Sequence, residues 1–383
     1  MPTHVRVAPN VIEWATDRAR LEEADIERRF PEVALWLRGE QRPTLKQLEN
    51  FALKVHAPFG YLLLDEPPDE TVPIPDFRTL RDEELARPSA GLLDTIYVCQ
   101  RRQDWYRAHL TSLGATRSPL ARRTTPTARV GDVARAIREE LSLNVPSGRL
   151  RGGWQNTHSA LIERVEDLGV LVMANSIVGN NTHRPLDANE FRGFALADDL
   201  APLIFINGRD SKAAQVFTLI HELAHIWVGE TALSDPDSNS AQRTERERWC
   251  NRVAAEVLVP SDDFPNTADD LSASSLEALA QQYGVSTLVI LHRYYELGLM
   301  EWEPFRSRYV EEEARIGEFL KRPADKKGGD HYNNQYRRLS PTFARAVIAA
   351  TLEGETSFTD AYDLLDTRKH STFVTLAARL KVA

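Results

Sequence analysis

The period of the hydrophobic pattern changes several times along the 383-residue chain. From 10 to 65 apolar positions recur at helical spacing, broken at Pro31, Pro43 and Pro58, with the amphipathic run Leu45 to Val55 (LKQLENFALKV) as the clearest case. This predicts a small helical domain over 1–66. The acidic, proline-rich stretch EPPDETVPIPD (66–76) is too stiff and polar for a core and reads as a boundary or strap. A long helix is expected from about Gly91 to Leu113, followed by a basic, polar segment, ARRTTPTAR (121–129), with the composition of a linker. The strap, helix and linker together occupy 67–129.

Between 130 and 300 the pattern becomes mixed. Helical spacing near 131–142 and 158–167 alternates with short apolar runs at 169–174, 192–196 and 203–206 that read as strands. Two further helices, over 212–228 and 245–258, carry the candidate chemistry. From about 301 to 383 the chain is helical again, after a basic loop, KRPADKKGGDHYNNQYRR (321–338). The predicted architecture is α+β and mostly helical: a core over 130–300 with a small sheet, flanked by an N-terminal and a C-terminal helical domain.

Composition narrows the class. With 42% hydrophobic and 27% charged residues the chain is that of an ordinary globular protein. The N-terminus lacks the basic-then-apolar pattern of a signal peptide, and no apolar run approaches the roughly 20 residues that cross a bilayer, so no membrane contact is expected. Cys99 and Cys250 alone make no disulfide framework, which suits a reducing cytoplasm. A net charge of -9 argues against coating nucleic acid by bulk attraction.

The segment His221–His225 reads HELAH, an H-E-x-x-H motif. Two histidines four apart lie one turn apart on one helix face, so both rings can reach a single ion. Asp210 or Ser211 can cap this helix, Phe217, Ile220, Ala224 and Trp227 supply an apolar stripe, and Gly229 can end it. His221 and His225 continue the row begun by Phe217 and are expected to point inward. The alternative, a chance match on a core helix, would bury two imidazoles with nothing to satisfy them.

A catalytic zinc needs a third protein ligand and an open position. The metzincin pattern would require glycine at 228 and histidine at 231, where Val228 and Thr231 stand, so that class is excluded. A carboxylate from the helix ERERWCNRVAAEVLVP (245–260) is the remaining choice. At 100° per residue Glu247 shares a face with Cys250, Ala254 and Leu258, whereas Glu245 and Glu256 point to the opposite, solvated side. Asn251, one turn beyond Glu247, is placed to hold the outer nitrogen of a liganding histidine. Asp235 and Asp237 in the loop LSDPDS (233–238) are the rival ligands.

HELAHIW followed by E-x-x-C-N-x-x-A-x-E-x-L-x-P resembles the ImmA/IrrE family of metallopeptidases, whose fold is similar to a minimal thermolysin-like zinc peptidase. The resemblance covers about 130–300 and is most specific over 205–230. It implies that His221, His225 and Glu247 bind Zn2+ and that Glu222 is catalytic. WLRGEQRPTLKQLENFALKVHAPFGYLLLDEPP (36–68) is similar to the later part of an Xre/Cro-type helix-turn-helix domain, although the segment between Ile26 and Trp36 is shorter than in a complete unit and its charges nearly cancel. GVSTLVILHRYYELGL (284–299) has a similar turn and helix.

The expected function is hydrolysis of a peptide bond in a specific regulator or toxin partner, with Glu222 taking a proton from water and returning it to the leaving amine. The strand PLIFIN (202–207) is expected to offer an edge to an extended substrate. DNA or single-stranded nucleic acid, whose bases could stack on Tyr332 and Tyr336 of the basic loop, is a candidate regulator. The competing function is a stoichiometric antitoxin or DNA-associated binding protein without protease activity.

Overall fold

A computed structural model describes residues 3–20, 23–76, 88–118, 120, 123–125, 127–143, 153–234, 244–268, 270–321 and 338–382. The rival ligands Asp235 and Asp237, the tyrosines Tyr332 and Tyr336 and nearly all of the basic loop lie outside the described residues. The chain forms two compact units, one of Met1–Pro73 with Leu80–Tyr97 and one of Ile74–Thr79 with Val98–Ala383. Among the described residues no helix is long and apolar enough to cross a membrane.

The first unit is helical. It contains α1 (Pro9–Arg18), α2 (Glu23–Arg29), α3 (Val33–Leu37) and α4 (Leu45–Val55), then a short 3-10 turn at Phe59–Leu63. Val11, Ile12, Val33, Trp36, Leu48 and Phe51 make its core. α4 opens on a capping box in which Thr44 and Gln47 bond reciprocally. α3 is only five residues long, VALWL, and none of its side chains offers a hydrogen bond to a base edge except the buried Trp36. Arg18 donates to Glu70 of the strap and to the His56 carbonyl.

A long helix, α5 (Ala90–Ser112), enters the second unit at Val98. Then come α6 (Val130–Glu140), α7 (Gly153–Asp167), β1 (Leu171–Asn175), β2 (Gly193–Leu196), β3 (Leu203–Asn207), α8 (Lys212–Val228), β4 (Ala232–Leu233) and α9 (Glu245–Leu258). α10 (Ala273–Tyr283), α11 (Thr287–Glu296), α12 (Trp302–Lys321), α13 (Pro341–Leu352), α14 (Phe358–Leu364) and α15 (His370–Leu380) complete it. The architecture is α+β and mostly helical, with a four-stranded sheet in the order β1-β3-β2-β4.

β1 and β3 run parallel, and β2 is antiparallel to both β3 and β4. β3 therefore lies inside the sheet with both backbone edges paired. The expectation that PLIFIN offers an edge to substrate is corrected: its uninterrupted apolar run is that of a strand buried on both faces, and the outer strands are β1 and β4.

Strand residues alternate between two covered faces. Val172, Ala195, Ile204 and Ile206 pack with Val216, Leu219, Ile220 and Leu223 of α8. On α5, Gln103 donates to the Leu196 and Ala201 carbonyls, and Arg102 donates to the Leu364 carbonyl while meeting the Met173 sulfur at 3.7 Å. Trp105 and Tyr106 make edge contacts with Phe343 of α13. Glu166 on α7 accepts from the Thr342 hydroxyl at 3.1 Å, tying the start of α13 to the same layer. The described part of 121–129 lies against α8, with Arg123 over the Trp227 ring and its N–H on the Trp227 carbonyl.

Candidate metal centre

α8 is held in register at both ends. Ser211 caps its first turn through the Ala214 N–H, and Gly229 ends it at φ 76°, a left-handed conformation that glycine adopts without strain. β2, β3, α7 and α9 surround the helix, so the motif is buried: His221 is 5% exposed, and Glu222 and His225 are fully buried. α9 starts at the cap Thr244, which receives the Glu247 N–H, and places Glu247 opposite the histidines at 1% exposure.

His221 Nε2 and His225 Nε2 face each other at 3.2 Å. Glu247 reaches them with one oxygen 3.3 Å from His221 Nε2 and the other 3.0 Å from His225 Nε2. Ligands of a tetrahedral zinc at about 2.05 Å lie roughly 3.3 Å from one another; the 3.2 Å between the two Nε2 atoms matches one such edge, and Glu247 meets the two rings with a different oxygen each. Nδ1 of His221 meets Asn251 Oδ1 at 3.0 Å. That acceptor requires the proton on Nδ1 and leaves the Nε2 lone pair facing inward, the tautomer a metal needs. Among the described residues, His221, His225 and Glu247 are the group able to hold a metal ion.

Burial and neighbouring charge set the protonation states. Burial alone would push the Glu247 carboxyl up, but His221 and His225 outweigh it and hold it far below the ordinary carboxylate range. Burial lowers His225, against the pull of Glu247. Burial pushes Glu222 up to about 8; His221 and the Ser234 hydroxyl oppose the shift and Glu247 adds to it. Two adjoining carboxylates thus have affinities driven apart.

Glu222 lies beside the ligand triangle and against β2. A Cβ on Gly193 would stand 3.2 Å from Glu222 Oε1, 2.6 Å from Thr218 Cγ2 and 2.8 Å from the Phe205 carbonyl, so only glycine admits α8 this closely. Gly193 and Ser234 are site residues that the sequence reading misses. An isolated glycine opening an apolar strand is the available signal for the first, and nothing local marks the second. Glu245 is exposed, as expected. Glu256 points away from the triangle but is not simply solvated: it accepts from the Ser261 N–H and hydroxyl and from Arg293 of α11. That correction follows from Arg293 of α11 reaching Glu256 and from the turn at Ser261, which the angle of one helix cannot reveal. Arg293, with its side chain 4% exposed, is thereby occupied inside the protein.

Residues 165–295 match the family model described as the IrrE N-terminal-like domain, of the M78 peptidases. The match runs from the end of α7 to α11 and contains His221, Glu222, His225, Glu247 and Asn251. It supports an ImmA/IrrE-type metallopeptidase domain for this part of the chain. Residues 339–379, spanning α13 to α15, match a family described as a domain of unknown function. Neither the curated proteins nor the solved structures gave a match.

Proposed function

We propose that the chain is a zinc-dependent endopeptidase with a thermolysin-like core, cleaving one specific intracellular regulator or toxin partner. The observation that carries this reading is the buried group of His221, His225 and Glu247, whose ligand atoms lie within 4.8 Å of one another, with the two Nε2 atoms 3.2 Å apart, each 3.0 to 3.3 Å from a different Glu247 oxygen, and a second carboxylate alongside. His221, His225 and Glu247 would hold the ion, leaving one position for water or substrate, and Asn251 fixes the orientation of His221. A bound zinc polarises the scissile carbonyl and acidifies water. Glu222, alongside the three ligands, takes a proton from the attacking water and delivers it to the leaving amine. A purely stoichiometric binder would have no use for Glu222.

The test uses the full chain with and without Glu222→Gln. Both should carry about one zinc by atomic emission, and the variant should retain its bound partner uncut while the parent chain cleaves it. Equal cleavage by the two proteins would refute the assigned base.

A further inference from the structure

The strand β4 lies at the outer edge of the sheet, and its outward side is already paired. Asp76 bridges Leu233 in parallel, and the Leu233 N–H donates to the Pro75 carbonyl at 2.9 Å. Along this stretch Ile74 is buried, whereas Pro73, Pro75 and Asp76 are exposed. Pro73 and Pro75 have no N–H, so the stretch can accept a bond from β4 without offering a full ladder to a further strand.

The edge adjoins the metal centre. Leu233 pairs with Phe194 of β2, next to Gly193, whose Cα faces Glu222. Ser234 follows Leu233 directly and is itself buried. A peptide bond presented to Glu222 by an extended chain would therefore run along this edge. At the same time His221, His225 and Glu247 are at most 6% exposed at their side chains.

We propose that the outer edge of β4 is a binding site for the backbone of an extended protein segment with an aliphatic side chain, and that Ile74–Asp76 is its built-in occupant. The strap holds the position that a substrate takes, through the Leu233 N–H and the buried Ile74 side chain. A substrate segment must displace it. This rests on the peptidase reading only for what happens after binding, since pairing at an edge needs neither zinc nor Glu222.

The test is made in full-length Glu222→Gln protein, with and without Ile74→Asp. The probe is a fluorescent peptide of residues 70–76 (ETVPIPD). Loss of one buried aliphatic anchor should free the edge, so the Ile74→Asp protein is expected to bind the peptide at least about tenfold more tightly than its parent. Hydrogen exchange at the Leu233 amide should quicken in the variant and slow again when peptide is added. Unfolded casein should compete with the peptide. Ile74→Ala provides a milder version, expected to show a smaller effect in the same direction, with circular dichroism and zinc content verifying the fold of each. Equal peptide binding and equal Leu233 exchange with and without the substitutions would overturn the proposal, as would a failure of casein to compete. If the peptide binds as expected while Glu222-intact protein cleaves nothing, the edge site stands and the peptidase reading falls.

Discussion

Glu245, Glu247 and Glu256 share one helix and should respond very differently to alanine. Glu247→Ala removes a ligand carboxylate and should abolish stable zinc binding, Glu245→Ala should leave it unchanged, and Glu256→Ala should lower stability through Arg293 with little effect on the metal. Asn251→Ala should fall between, at about 10–100-fold weaker affinity, because the His221 ring loses the acceptor that orients it. Zinc competition with a chromogenic chelator measures all four, and equal losses from the three glutamates would contradict the register of α9. Titration of the metal-free chain gives a second check. Its raised pKa means that folded Glu222 keeps its proton up to about pH 8, while the unfolded chain releases it near the ordinary value of 4.5. The stability it contributes is thus present below 4.5 and lost as pH rises through 8. Glu247, held low, changes only below 4.5, and His225, lowered by burial, adds a slope of opposite sign below 6.5. Between pH 6.5 and 8 the Glu222 contribution therefore stands alone among these three. The melting temperature of metal-free protein should fall across that window, and Glu222→Gln should flatten the fall; parallel curves would show that the carboxyl titrates normally. Both thiols should also be silent: burial pushes Cys99 up to about 12 and Cys250 well above its usual range, so a native chain should react with neither equivalent of a thiol reagent until denatured.

At the scale of elements, the contact between α8 and β2 is the most exacting. Gly193→Ala would drive a methyl into Thr218 and the Phe205 carbonyl, and backbone cannot yield as a flexible side chain can. Overpacking of this kind costs about 1–3 kcal/mol, and since Glu222 lies on the same seam, zinc affinity should fall with the melting temperature. Gly131, in the first turn of α6, is the control: a methyl added there would meet nothing within 4 Å, so Gly131→Ala should be neutral or slightly stabilising. Equal effects of the two substitutions in thermal melts would remove the packing argument. This seam also marks where sequence reading stops. The helices α4, α5, α8 and α9, the three main strands, and the convergence of His221, His225, Glu247 and Asn251 follow from periodicity, caps and helix angle, all local properties. The order of strands, the reach of Arg293 to Glu256 and the pairing of 75–76 with β4 depend on partners far away in sequence, and a run such as PLIFIN looks the same in the middle of a sheet as in any buried strand.

For the whole molecule, the consequence is restraint. The four chemical side chains are buried, Glu222 and His225 completely, and the outer edge of the sheet beside them is paired with the chain's own backbone. An unfolded protein that meets this surface finds the edge at β4 already taken. It must first compete with a strap whose effective concentration is that of a covalently attached segment, in the millimolar range for short connections. Free polypeptide at micromolar concentration competes poorly on those terms. Zinc-loaded full-length protein should therefore digest unfolded casein slowly, and Ile74→Asp should accelerate digestion while Glu222→Gln in the same background stops it. Gel densitometry over a time course reads both. Rapid casein digestion by the unmodified chain, matching that of the Ile74→Asp protein, would mean that the edge is open in solution and that selectivity arises elsewhere in the molecule.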